Sequence, residues 1–367
     1  MDTITHKCPN CGGALTFEPT DQQFHCPYCM STFTADELTA FEEQQKEAHL
    51  PDAKLDSATA NQAAADAKSG TAQLDEMELF LCPSCGAEIV TDATTAATYC
   101  YYCHNPVVLQ GRLSGDFLPD KVLPFAISKE EATKQFLTWA AKKRFVPKAF
   151  FNQSQVEKLT GVYFPYWEVD AQATGELQGT GTSLRVWRVG DLEYTETKKF
   201  AIERSGKMNF RNLIKNALSK NIQQKMVEGV QPFPIDQAVT FKNQYLAGFQ
   251  AEKRDIEYDT LQAAIQSELA DYGENLLKDT VGSFTTFKIK HKQFDLTEET
   301  KAYCLLPVWI VTYQGERQDK RTYYYAMNGQ TGKVSGILPI SYQKLSLVAG
   351  GIFLLVLIAC LLGGYFL

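Results

Sequence analysis

The sequence predicts an α+β protein with two cysteine-rich N-terminal modules, a mixed α+β middle region of two related halves, and one C-terminal membrane-crossing helix. Three observations predict this. Eight of the ten cysteines form four Cys-x-x-Cys pairs, all within the first 103 residues. The middle of the chain mixes aromatic, β-branched runs with segments of helical period. The last 23 residues carry no charge. At 367 residues and 44% hydrophobic content the chain has room for two or three domains with an ordinary core. A formal net charge of −7 argues against nucleic acid as the main partner, since phosphate binding relies on clustered basic charge.

The first module pairs Cys8 and Cys11 with Cys26 and Cys29; the second pairs Cys82 and Cys85 with Cys100 and Cys103. Fourteen residues separate the inner cysteines of each set, the spacing of a four-cysteine zinc ribbon. Two cysteines three apart on a tight turn aim both sulfurs at one ion, and the gap suits a hairpin that returns the second pair. Gly12 and Gly86 stand where such a turn needs a positive φ. The expectation is two structural Zn²⁺ ions, each held by four thiolates, with no open position for catalysis. Iron in a rubredoxin-like centre fits the same sulfur set, and disulfides or free thiols are the remaining alternative. The N-terminus, with Met1, Asp2, Thr3 and Ile4, has no apolar run of the secretory kind, and a cytosolic chain keeps its thiols reduced. His25 and His104 adjoin ligand cysteines and read as bystanders to complete sets.

The ribbons are expected at 1–34 and 79–112. Between them, 35–78 reads as an acidic flexible linker: from Asp36 to Glu78 eleven acidic residues face three lysines, and a frayed helix is expected near 37–46. An α+β domain of two possible halves is expected at 113–343. Ser128 and Glu131 form a capping box ahead of a helix through Phe136 and Trp139. Strands are expected at 163–169, 192–202 and 305–313, and helices at 208–226 and 256–277. Pro165-Tyr166-Trp167-Glu168-Val169 and Pro307-Val308-Trp309-Ile310-Val311 share a Pro-x-Trp-x-Val pattern, each with Phe-Asn or Phe-Asp upstream (Phe151-Asn152, Phe294-Asp295), which suggests a duplication. Asn328-Gly329 predicts a hairpin turn.

From 198 to 225 there are eight basic residues and one glutamate. On a helix, Lys207, Arg211 and Lys215 would line one face, which reads as a solvated surface or a contact for anionic lipid. Residues 345–367 form the candidate span, about 34 Å long as a helix against a hydrocarbon core of about 30 Å. Lys344 precedes it and no basic residue follows, so the transmembrane helix is placed at 344–367 with the bulk facing the cytoplasm of a single-pass cell-membrane protein.

The whole order of parts, from Cys8/Cys11/Cys26/Cys29 and Cys82/Cys85/Cys100/Cys103 through the Trp309 strand and Asn328-Gly329 turn to the 345–367 span, resembles a Gram-positive bacterial family. These are the membrane proteins labelled transcription-factor-IIB-type zinc-ribbon-containing. The label describes the ribbon, not transcription. The resemblance implies companionship with phage-shock (PspA-like) and SPFH/stomatin-like envelope-stress proteins. It implies recruitment of a cytosolic or membrane-associated protein partner to the bilayer. The residues point to a non-enzymatic adaptor: five scattered histidines, no Ser-His-Asp set, no Gly-rich phosphate loop and no open metal site, so a small-molecule substrate is not expected. Its ribbons would dock partners from a flexible tether. A membrane-tethered nucleic-acid-binding protein is the alternative.

Overall fold

In the computed structural model the described residues are 3–48, 77–100, 103–109, 112–113, 115–147, 158–219, 227–314 and 322–366. The first module holds β1 (Thr3–Ile4), β2 (Thr16–Glu18), β3 (Gln23–His25) and β4 (Thr32–Phe33), followed by α1 (Ala35–Ala48). The second holds β5 (Met77–Leu81), β6 (Glu88–Asp92), β7 (Thr95–Tyr99) and β8 (Pro106–Leu109). The middle region then runs β9 (Lys121–Val122), α2 (Lys129–Ala141), β10 (Thr160–Val189), β11 (Leu192–Asn216), β12 (Val239–Thr240) and β13 (Gln250–Glu252). It continues with α3 (Tyr258–Asp279), β14 (Thr286–Gln314), β15 (Thr322–Asn328) and β16 (Val334–Ile337), and the chain ends in α4 (Tyr342–Phe366). The fold is α+β.

One sheet runs through most of the molecule in the order β1-β8-β7-β13-β10-β14-β15-β16, with β11 beside β10 and β9 beside β14. Its core is a repeat whose two halves exchange strands. Short β9 pairs in parallel with β14 (Lys121 with Cys304, Val122 with Leu305), and short β13 pairs in parallel with β10 (Gln250 with Val162, Ala251 with Tyr163). The tryptophans of the shared pattern close the two halves identically. The Trp309 indole donates to the Ile127 carbonyl ahead of α2, and the Trp167 indole to the Ile256 carbonyl ahead of α3, each at 3.0 Å. The amides of Ala126 and Ile127 both donate to the Gly329 carbonyl; those of Asp255 and Ile256 both donate to that of Ala217. Gly329 in turn donates to Pro307 and Ala217 to Pro165. The duplication therefore rests on matched registers. Of the upstream dipeptides, Phe294-Asp295 lies inside β14 and Phe151-Asn152 lies outside the described residues.

Beyond the core, β10, β11 and the first half of β14 continue as a long arm. From Ala171 to Gly181 alternate β10 residues are buried, and α3 covers that face through Leu269, Gly273 and Leu277. Leu177, Ile202, Leu277 and Val281 form a separate small core there.

Several expectations are corrected. The helix expected at 208–226 is strand β11 as far as Asn216, and 220–226 lie outside the described residues. Pairing with β10 overrides the helical period, and Met208 and Phe210 alternate as strand residues should. Asn212 takes a φ of 57° at a bulge, its amide held by the Asp170 carboxylate at 2.8 Å. This extra residue reverses the side-chain alternation, so Lys215 turns to α3 and pairs with Glu268, away from Lys207 and Arg211. The continuous basic face does not form. The helix expected near 37–46 is present as α1 and is anchored rather than frayed, by buried Leu38 and by Lys242 on Asp36 at 2.6 Å; 49–76 of the expected linker lie outside the described residues, and 77–78 open β5. The terminal helix begins at Tyr342, two residues earlier than expected. In the last hairpin, Asn328 heads the turn and accepts from the amides of Gln330 and Thr331, while Gly332 takes the positive φ.

Candidate metal centres

All four Cys-x-x-Cys turns are built alike. In each, the amide of the first cysteine donates to the carbonyl five residues on, and the residue four on donates back to that cysteine's carbonyl. Cys8 pairs so with Gly13 and Gly12, Cys26 with Ser31 and Met30, Cys82 with Ala87 and Gly86, and Cys100 with Asn105 and His104. The fourth position has a positive φ every time: 75° at Gly12, 60° at Met30, 74° at Gly86 and 57° at His104. Gly12 and Gly86 behave as the sequence suggests; Met30 and His104 do the same without the freedom of glycine.

These turns bring Cys8, Cys11, Cys26 and Cys29 into one cluster and Cys82, Cys85, Cys100 and Cys103 into another, with the four sulfurs of each within 4.8 Å of one another. Across the first cluster, Cys8–Cys29 is 3.5 Å and Cys11–Cys26 is 3.4 Å; across the second, Cys82–Cys103 is 3.6 Å and Cys85–Cys100 is 3.7 Å. Sulfurs bound at about 2.3 Å around a tetrahedral ion stand about 3.8 Å apart, so both sets fit a tetrahedral metal. The first cysteine of every pair is buried, whereas Cys11, Cys29 and Cys85 are exposed. As free thiols the first set is in electrostatic conflict. Cys29 is drawn down to about 6, first by the Ser31 hydroxyl. The Gly13 amide favours the Cys11 thiolate, yet protons shared with Cys26 and Cys29 push Cys11 up to about 12. One thiol ionises at the expense of its neighbours, and a divalent cation removes that conflict.

The neighbouring histidines stay out of both sets. His25 Nε2 meets Asp21 at 2.7 Å, and His104 serves through its backbone. His6, which the sequence did not single out, is buried with Nδ1 on Glu42 of α1 at 2.7 Å; Glu42 also accepts from Gln244 at 2.9 Å. Short strands hid this link, because its partners are 36 and 238 residues away from His6.

Both clusters are stitched to the main sheet rather than held on a tether. Strand β1 pairs with β8, joining the two modules, and β7 pairs with β13. Phe17 donates its amide to Ala247, the Gln22 side chain reaches the Phe125 carbonyl at 2.8 Å, and Tyr99 donates to Gly248. An aromatic chain follows the same route. Phe24 touches Phe17 (5.2 Å), Phe17 touches Phe249 (6.4 Å), Phe249 stacks on Phe125 (4.2 Å), and Phe125 meets Trp309 (4.9 Å). The β15–β16 edge leads to the third feature, helix α4. Its 20 residues from Tyr342 to Leu361 are long and apolar enough to cross a membrane, and none of that stretch is buried in the fold.

No protein-family model matches the chain, and no solved structure matches it. A protein of Bacillus subtilis (strain 168), described as uncharacterized protein YdjG, is 30% identical over 368 residues, covering 99% of both chains. With the match at 30% identity spanning 99% of both chains, this chain belongs to the YdjG family.

Proposed function

We propose that both clusters hold structural Zn²⁺ and that the protein is a non-enzymatic adaptor at the cytoplasmic face of the cell membrane, anchored by α4. One observation carries this reading: two four-sulfur sets with no ligand position to spare sit in the same chain as an apolar helix with none of its residues from Tyr342 to Leu361 buried. Four thiolates complete the zinc coordination sphere, so the ion supplies folding energy rather than a reaction centre. The helix leaves an apolar surface that a bilayer satisfies. The metal-site turns present Tyr28 and Met30 to solvent at 67% and 81% exposure, the kind of side chains that anchor protein interfaces. The family resemblance stated above suggests envelope-stress proteins of the phage-shock and SPFH/stomatin-like kinds as partners. The test is affinity purification of the full chain from native membranes, wild type against Y28A/M30A. The variant should keep two zinc ions per chain and lose its co-purifying proteins. An unchanged set of partners rejects docking through the ribbons.

A further inference from the structure

The arm ends in a bare hairpin. Strand β14 stops pairing at Thr286 opposite Thr182, so residues 183–198 form a two-stranded ribbon. Leu184, Val186, Trp187, Val189, Leu192 and Tyr194 are 42–64% exposed there. The register puts Trp187 beside Tyr194 and Val189 beside Leu192 on one face, with the Trp187 and Tyr194 rings stacked at 5.6 Å. An apolar tip of this kind on a soluble arm calls for a partner.

We propose that the tip docks on the tip of a second copy of this chain, face to face, around a two-fold axis along the arm. Charge is the first argument. Residues 183–198 carry Arg185, Arg188 and Lys198 against Asp191, Glu193 and Glu196, a net of zero in a chain of −7. Arg185 lies opposite Glu196 and Arg188 opposite Glu193, so each hairpin balances itself and two copies meet without like-charge excess. An anionic lipid surface would select a net positive tip instead. Register is the second argument. Strand β16 leaves the sheet at Ile337, level with Tyr324 and Thr312, beyond the Thr160 end of β10. Helix α4 therefore starts at one end of β10 and the tip lies at the other, about 100 Å of strand away. This orientation argument rests on the membrane reading: copies anchored in one bilayer raise their tips to the same height. Antiparallel pairing of two β11 edges would instead send the anchors in opposite directions. The patch is small, and confinement to one membrane supplies the effective concentration that its area does not.

The test is disulfide trapping of full-length V189C in membranes under mild oxidation, with wild type and S205C on the arm's polar face as controls. V189C should yield covalent dimer at least about tenfold above both controls, and adding L192D should remove that excess. Equal cross-linking of V189C and S205C, or none at V189C, overturns the tip interface. Recovery of the whole protein in the soluble fraction overturns the membrane reading separately; a V189C dimer in that fraction would still support tip docking.

Discussion

Met30 and His104 occupy the same backbone position as Gly12 and Gly86, at φ values of 57–75°. An L-residue there costs roughly 1–2 kcal/mol, and the closed sulfur cage compensates for it. Replacing Met30 or His104 by Gly should leave metal retention unchanged or raise it, whereas Gly12→Ala and Gly86→Ala should each cost about 1 kcal/mol, read as faster ion release to a competing chelator. No side chain blocks the added Cβ, since nothing lies within 4 Å of it at Gly12 or Gly86, so the effect reports backbone strain alone. The glycine positions were legible in the sequence because glycine advertises positive φ. The other two were hidden because the metal turn, not the residue, dictates the backbone there. His6 was illegible for a different reason: its role exists only once α1 folds back to bring Glu42 within 2.7 Å.

Elements were legible where periodicity and capping agree, as at α2, whose Ser128 hydroxyl accepts from the Glu131 amide at 3.3 Å. The arm was legible only in part: the strand expected at 192–202 lies in β11, whereas the β10 portion from Ala171 to Thr182 alternates polar residues with alanine and glycine, and Leu177 is its one large apolar side chain, so its period is faint. The glycines are there for close approach: a Cβ on Gly175 would sit 2.4 Å from the Met208 methyl, and one on Gly181 would sit 2.7 Å from Ile202. Strand β13 was equally unmarked at three residues, yet it carries β7 on one side and β10 on the other. Loss of metal should therefore spread along this seam. Stripping the sites with a mercurial and a chelator should release two ions per chain and speed hydrogen exchange across β1, β7, β8 and β13. The β10–β14 ladder should keep most protection along the arm, where the core of Leu177, Ile202, Leu277 and Val281 is separate from the sulfurs, and less beside Trp167 and Trp309, which share a buried cluster with Cys8 and Cys26. Uniform exchange over the whole chain would contradict this division.

At the scale of the molecule, the apolar terminal helix and the cysteine modules could be read from local signals, whereas the union of the modules with the repeat could not, since it depends on pairings such as Thr3 with Leu109 and Ala97 with Ala251. Truncation before α4 tests the anchor: a chain ending at Ile340 should pass from a carbonate-resistant membrane pellet to the soluble fraction with both ions retained. The reciprocal strand exchange has its own implication for how the protein is made. Up to the end of β11, Trp167 has no Ile256 carbonyl to meet and β9 has no β14 to lie against. The first half emerging from the ribosome is thus an open clasp. It shuts only when the second half arrives, so the two halves reach the native state in a single joint event.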